Sequence, residues 1–75
     1  MGNRSKKSQT TLIYQHMRAR EHITALEALG LYGVFRLAAR IEELRRRGAK
    51  ITTDVVYDVT GKRYARYRLT NRAIG

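Results

Sequence analysis

The 75-residue chain has no cysteine, no tryptophan and a single phenylalanine, and it sets only six acidic residues against sixteen basic ones. Each shortage excludes something. Without cysteine there is no disulfide framework, and the usual thiolate ligands of a zinc finger are missing. With Phe35 as the sole phenylalanine, the core must be thin, assembled from Leu, Ile, Val, Ala and a few tyrosines. A chain of this length allows one small domain, expected to be marginally stable. No apolar stretch reaches signal-peptide or membrane-spanning length, so a cytoplasmic setting with no membrane partner is expected.

Catalytic constellations are scarce too. His16 and His22 lie six apart with no carboxylate spaced to join them as metal ligands. Glu42 and Glu43 are neighbours, so on a helix they diverge and cannot work as an acid–base pair. Neither a glycine-rich phosphate loop nor a serine elbow occurs. The expectation is a protein that is not an enzyme and needs no cofactor or metal.

Positive charge is what the chain has in excess. The formal net charge is +10, and twelve of the sixteen basic residues are arginine. A small domain with that surplus repels itself, which points to a polyanionic partner. Arginine suits forked contacts to phosphate or guanine edges better than plain solubility requires.

Along the chain, residues 1–8 ("MGNRSKKS") lack apolar periodicity and carry Arg4, Lys6 and Lys7, the pattern of a flexible basic arm. From Gln9 to about Arg20, Leu12, Ile13, His16 and Met17 recur at helical spacing. Thr24-x-x-Glu27 is a capping box that opens a second helix, with Ile23 placed as a hydrophobic staple. Ala25, Leu26 and Leu29 are its expected buried side, and Gly30 its expected left-handed terminus. After the turn "GLYG", a third helix is expected from Val34 to Arg47, closed by Gly48. Val34, Leu37, Ala38, Ile41 and Leu44 form its core stripe, while Phe35, Arg36, Ala39, Arg40, Glu43 and Arg47 turn away or flank it.

The period then changes to two. "ITTDVVYDVTGKRYARYRL" alternates around Gly61, which suits a three-residue hairpin loop. That loop sets a register: Asp58 opposite Lys62, Val56 opposite Tyr64, Asp54 opposite Arg66 and Thr52 opposite Arg68. Ile51, Thr53, Val55 and Tyr57 oppose Leu69, Tyr67, Ala65 and Arg63 on the other face. One face gains two cross-strand ion pairs, and the other is apolar and should pack on the helices. The expected domain spans residues 9–70, with 71–75 as a C-terminal tail. Its class is α+β: three helices followed by a two-stranded antiparallel β-hairpin, the outline of a winged helix-turn-helix.

In such a module the third helix enters the major groove. Arg36, Ala39 and Arg40 are the candidates for base edges. The competing reading has the two arginines paired with Glu43 or Glu27. Lys62 and Arg63 at the hairpin tip, Arg47, and Lys6 and Lys7 of the arm are candidates for phosphate. Arg45, Arg46 and Arg47 point in three directions, so at most two of them can meet one ligand.

The stretches "ITALEALGLYGVFRLAARIEELRRRGAKI" and "GKRYARYRL" together resemble a family of small helix-turn-helix proteins found mainly in bacteriophages and prophages. The likeness covers residues 23–69. It implies a winged helix-turn-helix fold, nucleic-acid binding, and a recognition segment over Arg36, Leu37, Ala38, Ala39, Arg40 and Ile41. The expectation is a small phage-type transcription regulator that binds double-stranded DNA in the bacterial host cytoplasm. The likeness also raises a rival, since small early phage proteins often bind host RNA polymerase, blocking initiation or promoting antitermination. A basic winged domain at the RNA exit channel would face acidic protein or nascent RNA. An architectural DNA coater without sequence preference is a third option. Oligomeric state is open: operator-binding modules are often dimers, but no spare apolar helix remains for a coiled interface.

Overall fold

The computed structural model describes residues 8–71. The arm residues Lys6 and Lys7 therefore lie outside the described part. Six elements follow in order: α1 (Gln9–Arg20), β1 (His22–Thr24), α2 (Ala25–Tyr32), α3 (Leu37–Arg46), β2 (Ile51–Tyr57) and β3 (Arg63–Leu69).

The first helix starts at Ser8, whose hydroxyl accepts from the Thr11 amide at 3.1 Å. A serine in this place satisfies one of the amides a helix start leaves open. Helix α1 buries Ile13 and Met17 completely. It ends at Glu21, held at φ +80°, ψ −36°. That conformation is strained for a residue with a Cβ. It turns the chain so that the Glu21 carbonyl accepts from the Leu69 amide at 2.9 Å.

Beyond that turn lies an element the periodicity does not reveal. His22–Thr24 is a short strand pairing with β3, Ile23 opposite Tyr67. The hairpin is thus the larger part of a three-stranded antiparallel sheet in the order β1-β3-β2. Three residues are too few for alternation to register, which is why a two-stranded wing was expected. Ile23, fully buried, fills the staple position from within this strand.

Helix α2 has both halves of its capping box: the Thr24 hydroxyl accepts from the Glu27 amide, and the Glu27 carboxylate from the Thr24 amide. Its other expected features move. Gly30 stays helical, and Gly33 at φ +68° ends the helix instead. Ala28 is the buried residue, while Leu26 is 79% exposed and Leu31 62%. The segment "ALEALGLY" carries apolar residues on every side, so spacing cannot choose its inner face. Contact with α1 chooses it: the Tyr32 hydroxyl and His16 Nδ1 lie 2.8 Å apart in a hydrogen bond, with the rings edge to face.

Helix α3 begins three residues later than expected, so Val34 is buried from the connection rather than from the helix. The helix's own stripe is narrow: Leu37, Ile41 and Leu44. Ala38, expected in the core, is exposed. Gly48 at φ +105° closes the helix, its amide donating to Arg45 and the Ala49 amide to Leu44. That pair of bonds is a Schellman ending, and it needs a left-handed residue at this place.

The register of β2 and β3 is the expected one at every pair from Ile51–Leu69 to Tyr57–Arg63, and Gly61 sits at φ +88° in the loop. The side chains depart from it in two ways. Asp54 takes Arg68 as its close partner (2.9 and 3.3 Å), with Arg66 at 4.0 Å. The right-handed twist of the strands favours this diagonal neighbour. The Asp58 carboxylate does not pair with the Lys62 ammonium; it accepts from the Thr60 hydroxyl and the Thr60 and Lys62 amides. Asp at the head of a turn commonly bonds its own backbone in this way. Nor does the whole apolar face pack. Ile51 and Leu69 at the hairpin's base are buried, but Val55 and Tyr57 are 60% and 64% exposed, so the outer half projects free.

Candidate nucleic-acid interface

Between the first turn of α2, the first turn of α3 and the projecting hairpin lies a cleft of about 980 Å³. Arg36, Ala39, Lys62 and Arg63 line it together, although the first pair comes from the α3 entry and the second from the hairpin tip. The turn at Gly33 and the hairpin's fixed register bring these two sources to one face. Leu26, Phe35, Ala38 and Tyr64 are among its other wall residues, as are Glu27 and Asp58.

Electrostatics divide the lining into occupied and unoccupied groups. Glu27 is committed to the α2 cap. The Asp58 carboxyl is held below its ordinary range by the Thr60 hydroxyl and the Lys62 amide, so it stays ionised and stays with its own turn. By contrast, Arg36, Lys62 and Arg63 have no side-chain partner among the described residues. Arg36 is also the N-cap of α3, yet its side chain makes no cap bond. The cleft thus carries three available cations beside two carboxylates already in use.

Arg40 and Arg47 stand elsewhere. The Arg40 guanidinium donates to Glu43 at 3.1 Å and to Gln9 at 3.2 Å, the internal pairing weighed against base contact. Glu43 in turn accepts from the Thr10 hydroxyl, joining α3 to the start of α1. That hydrogen bond, with Arg40 adding to it, holds the Glu43 carboxyl below its ordinary value. Arg47 lines a second, smaller recess with Thr10, Thr11 and Tyr14 of α1 and Asn71 beyond β3. Arg45 is bound too: its guanidinium donates twice to the Ile51 carbonyl and once to Thr53, fastening α3 to the base of β2. Asn71, expected to open the tail, accepts from the Lys50 amide and donates to the Gly48 carbonyl. It closes the seam between strand end and helix end.

A tight turn after α2, a third helix beside it and a hairpin flanking both is an arrangement with a family counterpart. The family model described as a winged helix-turn-helix domain matches residues 8–72. The chain belongs to that family. No curated protein and no solved structure matches the chain. In the family's architecture α3 is the third helix and the β2–β3 hairpin the wing, so the cleft lies between the two. Leu26 and Tyr64 were not foreseen as part of it. Leu26 read as a core residue and Tyr64 only as the strand partner of Val56, and the rotation of α2 and the free projection of the wing bring both to the cleft. Among the described residues no helix is long and apolar enough to cross a membrane.

Proposed function

We propose that this winged helix-turn-helix protein is a small phage-type transcription regulator that binds double-stranded DNA through the α3–wing cleft and performs no chemistry of its own. The observation that carries the reading is the convergence of Arg36, Lys62 and Arg63, unpartnered among the described residues, on one face of a chain with net charge +10. Arg36, at the entry to α3, contacts a base edge, where a guanidinium fork matches the O6 and N7 of guanine. Lys62 and Arg63 follow phosphates from the wing. Arg40 and Arg47 have lesser parts, since Arg40 is engaged with Glu43 and Gln9 and Arg47 lines the other recess. With Arg4, Lys6 and Lys7 of the N-terminal arm joining Lys62 and Arg63, about five phosphate contacts give a slope of log K against log salt of about −4 to −5. The setting is the host cytoplasm.

The exposure of Leu26 and Phe35 favours one second reading, direct binding to host RNA polymerase, with inhibition of initiation or antitermination as the outcome. A pull-down from bacterial lysate with and without nuclease separates the two. The DNA reading predicts that polymerase is lost after nuclease and that purified protein shifts a duplex at physiological salt. Polymerase retained after nuclease, with no duplex shifted, would overturn it.

A further inference from the structure

The cations of the cleft have a partner in the reading above; its apolar residues do not. Phe35 is the only phenylalanine in the chain, and it is 82% exposed. The fully buried side chains of this thin core are aliphatic or methionine. A ring left outside such a core forgoes burial that would have stabilised it. Phe35 does not stand alone, since Ala38 and Ala39 follow it in the cleft wall at the front of α3. The first turn of the helix, Leu37–Ala39, therefore offers a groove no polar side chain. One turn further in, where Arg40 would meet a guanine, the guanidinium is held by Glu43 and Gln9.

Resting on the DNA-binding reading, we infer that this apolar front recognises thymine: C5-methyl groups in the major groove pack on Phe35, Ala38 and Ala39 while Arg36, Lys62 and Arg63 hold the duplex. The chemistry leaves little choice of base. Hydrogen-bonding edges need donors or acceptors to be read, and these three side chains have neither. The thymine methyl is the one major-groove feature that an alanine or phenylalanine distinguishes. Charge selects the occupant. Three cations without partners among the described residues rim the cleft, and its carboxylates are already bonded, so a polyanion is complementary to it. A second copy of a chain carrying +10 is repelled.

The test starts from the duplex that the full chain enriches most strongly from a random-sequence library. Its thymines are replaced singly by deoxyuridine, which removes only the methyl. Affinities are measured for the wild-type chain, Phe35→Ala and Ala38→Ser. Both positions are exposed, so melting curves should coincide with wild type, and Ala38→Ser carries the test if Phe35→Ala fails to fold. The expected result is one or two thymines at which deoxyuridine weakens wild-type binding about fourfold per methyl, with that penalty lost in the variants. Duplex binding indifferent to every replacement would overturn the inference while leaving the DNA reading intact. Equal penalties in wild type and both variants would overturn the assignment to these residues. Failure to bind any duplex, with Phe35-dependent binding of an acidic amphipathic peptide instead, would overturn both.

Discussion

Replacing Arg36 with serine should make the domain more stable and its DNA complex weaker. Arg36 occupies the N-cap of α3 without making a cap bond, and its φ of −110° and ψ of 65° depart from ideal cap geometry. A serine there can accept from the open amides of the first turn, a contribution of about 0.5–2 kcal/mol in favourable cases. With ψ away from its usual value the lower half applies, about 0.5–1 kcal/mol. For a domain of this size that is a rise in Tm of roughly 2–8 °C. No internal partner of the guanidinium is lost, because it has none among the described residues. In the complex, loss of one forked base contact costs about 1–3 kcal/mol, roughly 5- to 150-fold in affinity. Thermal melts by circular dichroism and fluorescence anisotropy on the selected duplex read the two effects separately. Arg40→Ala is the comparator: it should lower Tm by breaking the Glu43 and Gln9 contacts and leave affinity within about threefold. Equal losses of affinity for the two variants, or unchanged binding by Arg36→Ser, would refute the assignment.

Alanine at Lys62 or Arg63 should reduce the logarithmic salt slope by about 0.9 each, seen in titrations over a range of salt, and leave the melting curve in place. Ile41, fully buried at the centre of the α3 stripe, should cost about 2–5 kcal/mol as alanine. In so small a domain that is comparable to total stability, so loss of the cooperative melt is expected at 37 °C. Acid should weaken the fold. Asp54, held down by Arg68, and Glu43, held down by the Thr10 hydroxyl, have folded pKa values below their unfolded ones. Their stabilisation is present above the unfolded values and is lost as pH falls below about 4. Asp54→Asn should flatten the acid limb of Tm against pH. Glu21→Gly, relieving the strained φ of +80°, should raise Tm by a few degrees, about 1 kcal/mol.

What the sequence made legible follows from which signals are local. The β2–β3 register was readable because one glycine and one alternation period determine it, and every expected pair is present. The Thr24–Glu27 box was readable for the same reason. Strand β1 was not, because its three residues gain strand character only by lying against Arg66–Arg68, distant in sequence. The inner face of α2 was illegible because its apolar residues surround the helix. Tertiary contact with α1 decided it and put Leu26 in the cleft rather than the core. At the candidate site, charge and helix order were enough to name Arg36, Ala39, Lys62 and Arg63, which converge in the cleft. They did not separate Arg40 from Arg36. Both lie near the start of α3, and only the approach of α1, bringing Gln9 and Thr10, engages one and leaves the other available.

The most direct measurement is an amide chemical-shift map of the ¹⁵N-labelled chain as the selected duplex is added. The cleft account predicts that the largest changes fall on residues 35–39 and 62–65, while Thr10, Thr11, Gly48 and Ala49 around the second recess barely move. Changes concentrated on that recess, with Phe35, Arg36 and Arg63 unmoved, would contradict it.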